Sequence, residues 1–237
     1  MIAALPLAAV TLAVSAWPAR VVVAAPGHAT IHVSNPGNDA VALVATASGY
    51  SLDLRGRPRV RPRGRWLTVR PAGVRLPAHG SAELDVAVAS PRGAAPGDHA
   101  SLVLLTTEPP VGRRVVARLR LGVVVVARVP GALVRRLVFG GLKVVRRPRS
   151  TAVDVAVANL GNTDEWISAK RMSLRLRRHG TVVATLWAVP RRLLARSRGL
   201  VRLACPRPVR GRLTAILQLA RPREGVPVLR RTLPLRF

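Results

Sequence analysis

Apolar and polar residues alternate at every second position through most of this chain, and they do so in two successive sets. A period of two is the signature of strands, because successive side chains of an extended backbone point to opposite faces. In 30–34, Ile31 and Val33 share one face, and His32 and Ser34 the other. Segment 81–89 sets Ala82, Leu84, Val86 and Val88 against Ser81, Glu83, Asp85 and Ala87. Segment 115–126 sets Leu119, Leu121, Val123 and Val125 against Arg118, Arg120 and Gly122. Segments 153–157, 173–177, 213–219 and 229–237 repeat the pattern. Turn chemistry separates them: Asn35-Pro36-Gly37-Asn38, Pro77-Ala78-His79-Gly80, Ala95-Pro96-Gly97-Asp98, His179-Gly180 and Pro222-Arg223-Glu224-Gly225. Many short strands at such spacing predict an all-β sandwich architecture. No long amphipathic helix is expected, and at most one short helical turn at 190–198.

The two sets read as copies of one module. His-Val-Ser-Asn-Pro-Gly-Asn at 32–38 aligns with Ala-Val-Ala-Asn-Leu-Gly-Asn at 156–162, each ending a strand in an Asn-x-Gly-Asn turn. Arg75-Leu76-Pro77 aligns with Arg192-Leu193-Leu194, and the strands after them correspond in order. The expected organisation is therefore two tandem immunoglobulin-like sandwiches, 20–127 and 128–237, joined at Ala127-Arg128-Val129-Pro130-Gly131.

Residues 2–16 are apolar or small and uncharged, a suitable length for the core of an export signal and short for a spanning helix. We expect a signal peptide over 1–16, cut before Trp17, with Val23-Ala24-Ala25 as a second candidate site. The alternatives are an uncleaved anchor running to about residue 19, or a buried first strand.

Charge limits the partners. The 237 residues carry 39 Lys+Arg against 10 Asp+Glu, a formal +29, and all but two of the cations are arginine. Codon bias toward Arg, Ala, Gly, Pro and Val accounts for part of the preference for arginine over lysine. It does not account for the shortage of acids. Hydrophobic residues make up 49% of the chain, which excludes intrinsic disorder, and a single cysteine excludes a disulfide scaffold.

The turn motifs resemble those of bacterial exported immunoglobulin-like proteins. The Asn-x-Gly turn, Trp66-Leu-x-Val-x-Pro71, Val74-x-Leu-Pro-x-x-Gly-Ser81 and the Pro96-Gly97-Asp98-His99 hairpin occur in that order. They are most similar to the WxL-interacting surface proteins, and the second half fits through Asn159–Asn162, 180–184 and 190–194. That resemblance implies a non-catalytic, exported cell-envelope protein whose partner is a cell-wall polymer or another surface protein. The first module also resembles the N-terminal sandwich of PapD-like pilus chaperones. In that alternative, Arg20-Val21-Val22 begins the first strand, and Leu119, Leu121, Val123 and Val125 lie on the edge strand that complements a subunit.

The sharpest local feature is Arg55-Gly-Arg-Pro-Arg-Val-Arg-Pro-Arg-Gly-Arg65 followed by Trp66. In an extended strand Arg55, Arg57, Arg59, Arg61, Arg63 and Arg65 share one face, spaced about 6.6 Å apart. Guanidinium forks bind phosphate and carboxylate, so the row suits an anionic polymer, with Trp66 able to stack on a sugar. The plainer reading is a solvated hairpin loop. Nucleic acid is not expected, because stacking aromatics are scarce. Membrane contact is expected only through the N-terminal segment, if it is uncleaved.

No catalytic, metal or cofactor site is expected. His28 and His32 do not converge at strand spacing. His79 and His99 are expected on surface turns. Glu83 and Asp85 are expected to pair with arginines, Asp164-Glu165 to cap or pair with arginine, and Cys205 to be a buried structural thiol.

Overall fold

The structure, a computed structural model, describes residues 14–62, 66–108, 118–146, 149–220 and 227–236. Its described residues form strands, turns and loops, and no helix among them is long and apolar enough to cross a membrane. By internal contacts the chain divides into two compact units. One holds Val60–Ala95, His99–Pro130 and the described part of Met1–Tyr50. The other holds Ser51–Arg59, Pro96–Asp98 and the described part of Gly131–Phe237.

The first sandwich is built from β1 (Ser15–Trp17), β2 (Arg20–Ala24), β3 (Gly27–Ser34), β4 (Val41–Leu52), β5 (Pro58–Arg61), β6 (Leu67–Arg70), β7 (Gly73–Leu76), β8 (Ser81–Val88), β9 (Gly97–Thr107) and β10 (Arg120–Val129). One sheet has the order β1-β3-β8-β6 and the other β2-β10-β9-β4-β5, with β7 also on β4. The alternation read from the sequence decides which residues meet between them. Ile31, Val33, Leu84, Val86, Val88, Leu67 and Val69 project from one sheet. Val41, Leu43, Ala45, Val103, Leu105, Val123 and Val125 project from the other. Ile31, Leu84 and Val125 are completely buried, each worth about 2 kcal/mol of transfer free energy.

The first two strands occupy different sheets. Ala16 pairs with Val33 in one sheet, whereas Val21 pairs with Val125 in the other. The expected cleavage point before Trp17 falls inside β1, and residues 1–13 lie outside the described residues.

The second sandwich comprises β11 (Leu137–Arg146), β12 (Thr151–Asn159), β13 (Glu165–Ile167), β14 (Met172–Arg178), β15 (Thr181–Ala188), β16 (Arg191–Leu193), β17 (Arg198–Cys205), β18 (Arg212–Ala220) and β19 (Pro227–Arg236). Seven strands form one sheet in the order β11-β12-β17-β15-β14-β18-β19. β15 meets β17 only at Trp187–Ala204 and Ala188–Leu203, so the sheet turns a corner there and folds over its own apolar face. Val153, Val155, Val201 and Leu203 thereby face Leu174, Leu176, Ala215 and Leu217 across one core. Arg231 Nη1 donates to the Gly140 carbonyl at 3.2 Å, linking the two terminal strands.

The expected helical turn at 190–198 does not form. Arg191–Leu193 is β16, paired with β13, because backbone groups there are engaged elsewhere. The carbonyls of Leu193 and Leu194 accept from Asn159 Nδ2, at 3.5 and 3.0 Å.

That asparagine has a counterpart in the first sandwich. Asn35 Nδ2 donates to the carbonyls of Asp39 (2.8 Å), Leu76 (3.5 Å) and Pro77 (2.9 Å), and its Oδ1 accepts from Gly37 N (3.1 Å). Asn159 Nδ2 likewise reaches Thr163 O (2.8 Å), and its Oδ1 accepts from Gly161 N (3.1 Å). Both side chains are buried. Each therefore ties its own turn to a loop about forty residues further on, at the positions aligned in sequence.

The β4–β5 hairpin turns on Asp53. Its Oδ1 accepts from the N–H of Arg55 (2.8 Å) and of Arg57 (2.9 Å). Its N–H donates to the Arg57 carbonyl (3.0 Å), and Gly56 takes the left-handed conformation that the turn requires (φ 83°). The N–H of Arg57 holds the Asp53 carboxyl below the usual carboxylate range; burial opposes this, and Arg55 N–H and the Arg59 guanidinium add to it.

Asn35→Ala and Asn159→Ala should each cost about 2–4 kcal/mol in chemical denaturation, because each removes a buried amide's hydrogen bonds to three carbonyls and one N–H. A loss under about 1 kcal/mol would mean the loops are held by other means. The Asp53 pKa is depressed by folding, so its contribution is present above the unfolded value, about 3.9, and is lost as pH falls through the lower folded value. Amide protection factors at Arg55 and Arg57 should therefore persist at pH 5 and fall only in stronger acid. Loss of protection already at pH 5 would refute this hold on the turn.

Candidate functional site

β10 carries Leu121, Val123 and Val125 of the edge-strand residues that the sequence singled out, and Leu119 immediately precedes it. β2 runs parallel to it from Val124 opposite Arg20 to Arg128 opposite Ala24. Residues 120–123 therefore have no strand neighbour on that side among the described residues. β9 lies on the other side.

Backbone direction is set by the hydrogen bonds. Val124 N–H donates to the Ala19 carbonyl and the Arg128 carbonyl accepts from Ala25 N–H, so even-numbered residues point toward β2. Leu119 faces the other way: its carbonyl accepts from Thr107 N–H (3.0 Å), and its N–H donates to Thr107 Oγ1 (2.9 Å). By alternation, the N–H and C=O groups of Arg120 and Gly122 point to the open side.

The four apolar residues differ in what they already touch. Val123 and Val125 are buried and belong to the first core. Leu121 is half-buried at its margin, and Leu119 is half-buried outside it. Only the two leucines retain apolar surface to share with another chain. On the opposite face Arg118 and Arg120 are exposed, and Gly122 lies beside Leu102, whose Cδ1 would be 3.0 Å from an added Cβ. Of the strand expected over 115–126, residues 115–117 lie outside the described residues.

The structure places Arg55 and Arg57 in the turn before β5, and Arg59 and Arg61 on β5, all four exposed. Arg63 and Arg65 lie outside the described residues. Trp66 packs against the first core, and one of its ring faces is stacked on His99, with centroids 4.2 Å apart and planes 23° apart.

The remaining candidates sort by cross-strand register. Glu83 pairs with His32 (3.1 Å) and Asp85 with His28 (3.3 Å), rather than with arginines, because β3 and β8 set these side chains side by side on the exposed face. His99 lies within β9 rather than in a turn, whereas His79 does take a turn conformation (φ 56°). Glu165 is buried and pairs with Arg171 (2.7 Å) and Arg135 (3.4 Å). Cys205 is buried in the second core. Among the described residues no three His, Cys, Asp or Glu side chains gather as a metal site would require.

Sequence reasoning does not reveal the two asparagine clamps or the extent of β2. The repeated Asn-x-Gly-Asn turn is the available signal for the first. Nothing local signals the second, because strand register is a property of pairs.

No protein-family profile matches the chain, and no curated protein sequence matches it. Solved structures do. The CsuC–CsuE chaperone–tip adhesion subunit complex of Acinetobacter baumannii aligns with a TM-score of 0.53 at 12% identity, over 94% of this chain and 97% of that one. The class 5 fimbriae chaperone CfaA aligns at 0.51 with 10% identity, over 94% and 100%. The CupB2 chaperone of Pseudomonas aeruginosa aligns at 0.50 with 18% identity, over 94% and 99%. At these identities the likeness is one of fold: two tandem immunoglobulin-like sandwiches, as in the PapD-like fimbrial chaperones.

Proposed function

We propose that this chain is a periplasmic pilus-assembly chaperone that holds a fibre subunit by lending it the free half of β10. The observation that carries this reading is the register of β2, which stops at Val124 and leaves the backbone groups of Arg120 and Gly122 without a strand neighbour among the described residues. A subunit with an incomplete sandwich would pair with those groups, and Leu119 and Leu121 would enter its core. Backbone pairing supplies affinity in this mode, and the alternate side chains supply selection. The exposed Arg118 and Arg120 suit the role. A charged edge resists pairing with a second copy of itself, the usual hazard of a bare strand.

The fold-level likeness to chaperones that bind pilins or tip adhesins supports the same reading. It is preferred to adhesion through a wall polymer, because the solved structures alike in fold are chaperones of fibre subunits. Trp66 has a ring face covered by His99, whereas the arginines of β5 are exposed. The chaperone role involves no catalytic step. It requires export, which residues 2–16 would direct, and cell fractionation with N-terminal sequencing tests that requirement.

Arg120→Pro is the most selective test of the edge. It removes one N–H on the open side, where an edge strand tolerates proline, and leaves the β9 side untouched. Coexpressed with the fibre subunit it serves, the variant should keep its thermal unfolding and lose subunit capture by at least about tenfold. Leu121→Asp should lose capture similarly by placing a charge in the subunit core. Capture equal to wild type by both variants would overturn the reading.

A further inference from the structure

The arginine-bearing β4–β5 hairpin has no part in the donor-strand role of β10, and its chemistry stands independently of that role. Arg55, Arg57, Arg59 and Arg61 are all exposed, and the outer edge of β5 ends its sheet. Among the described residues one acid pairs with this row: Arg59 Nη2 lies 3.8 Å from Asp53 Oδ2. The guanidinium groups of Arg55, Arg57 and Arg61 form no ion pair with a described residue. The Asp53 carboxylate is meanwhile committed to the turn, accepting from two backbone N–H groups. The hairpin therefore presents a row of cations on a turn of defined shape.

Two further residues decide what such a row faces. Leu54, at the turn, is 57% exposed, and Val60, within β5, is 50% exposed. Val60 is set between Arg59 and Arg61 in sequence, and Leu54 immediately precedes Arg55. A soluble polyanion offers nothing to bare apolar side chains, whereas a lipid surface offers phosphates at its headgroups and an apolar layer just beneath them. A strand that approaches edge-on brings side chains from both of its faces to the surface, so the arginines and Val60 reach it together.

We propose that the β4–β5 hairpin is a membrane-docking element. Arg55, Arg57, Arg59 and Arg61 pair with the phosphates of an anionic lipid surface, and Leu54 and Val60 enter the headgroup boundary. The attachment is peripheral and reversible, and it weakens with salt because the cations are exposed.

Cosedimentation of the full chain with vesicles tests this. Vesicles of phosphatidylcholine alone are compared with an equal mixture of phosphatidylcholine and phosphatidylglycerol, and inorganic polyphosphate serves as a soluble anion. A chain of such positive charge binds anions everywhere, so the decisive comparison is between two variants of equal charge. R55S/R57S/R59S/R61S should reduce partitioning onto mixed vesicles by at least about tenfold more than R70S/R75S/R92S/R198S, which removes four exposed arginines elsewhere. L54S/V60S, with its charge intact, should reduce partitioning several-fold and leave polyphosphate binding unchanged. All changes are at exposed positions, and circular dichroism checks that each variant is folded. Equal losses in the two arginine variants would mean that net charge alone drives binding, and would overturn the proposal. Wild-type partitioning by L54S/V60S would overturn it too, by assigning the hairpin to a soluble polyanion. So would the absence of any binding to mixed vesicles.

Discussion

In each sandwich a buried asparagine holds a turn against a loop about forty residues away. Asn35 and Asn159 each donate to three carbonyls and accept one N–H from their own turn. The amide is the right group for this, since it carries both donors and an acceptor on a short side chain. The loops it reaches, at Leu76-Pro77 and Leu193-Leu194, contribute the buried Leu76 and Leu193 to their cores. Without the clamp each turn would lose the hydrogen bonds that join it to its loop, although Pro77 O still accepts from Gly80 N–H and Leu194 O from Ser197 Oγ. The same geometry in both halves, at positions aligned in sequence, shows that the modules share a structural plan.

The free edge of β10 arises from how the first sandwich is closed. Among the described residues β1 lies in one sheet and the chain then crosses to the other as β2, which covers β10 only from Val124 to Arg128. A sandwich closed by one long first strand would have no such opening. The opening also explains the uneven burial of the alternating residues. Val123 and Val125 lie where the sandwich is complete, and Leu119 and Leu121 where it gives out.

Much of the fold is legible in the sequence, and the rest is hidden for physical reasons. Segments 30–34, 81–89, 153–157 and 213–219 read as strands because one of their faces is wholly apolar, and strands cover them but for Ala89. β4, the longest strand, does not stand out in the sequence, since Ala42, Ala45, Ala47 and Gly49 blur its alternation. β1 is hidden within small apolar residues that an export signal and a strand use equally, whereas β2 begins at Arg20, where the pilus-chaperone resemblance puts the first strand. The pairing of Glu83 and Asp85 with histidines depends on the register of β3 and β8, which no single strand encodes. The length of open edge on β10 depends in the same way on where β2 begins.

Everything proposed for β10 rests on the backbone of Arg120 and Gly122 being open to another strand. Residue-resolved hydrogen exchange of the isolated chain measures this most directly. Fast exchange is expected at the amides of Arg120 and Gly122 and slow exchange at Val124 and Val126, with the fast pair becoming slow when a fibre subunit is bound. Equal protection of all four amides in the isolated chain would contradict it.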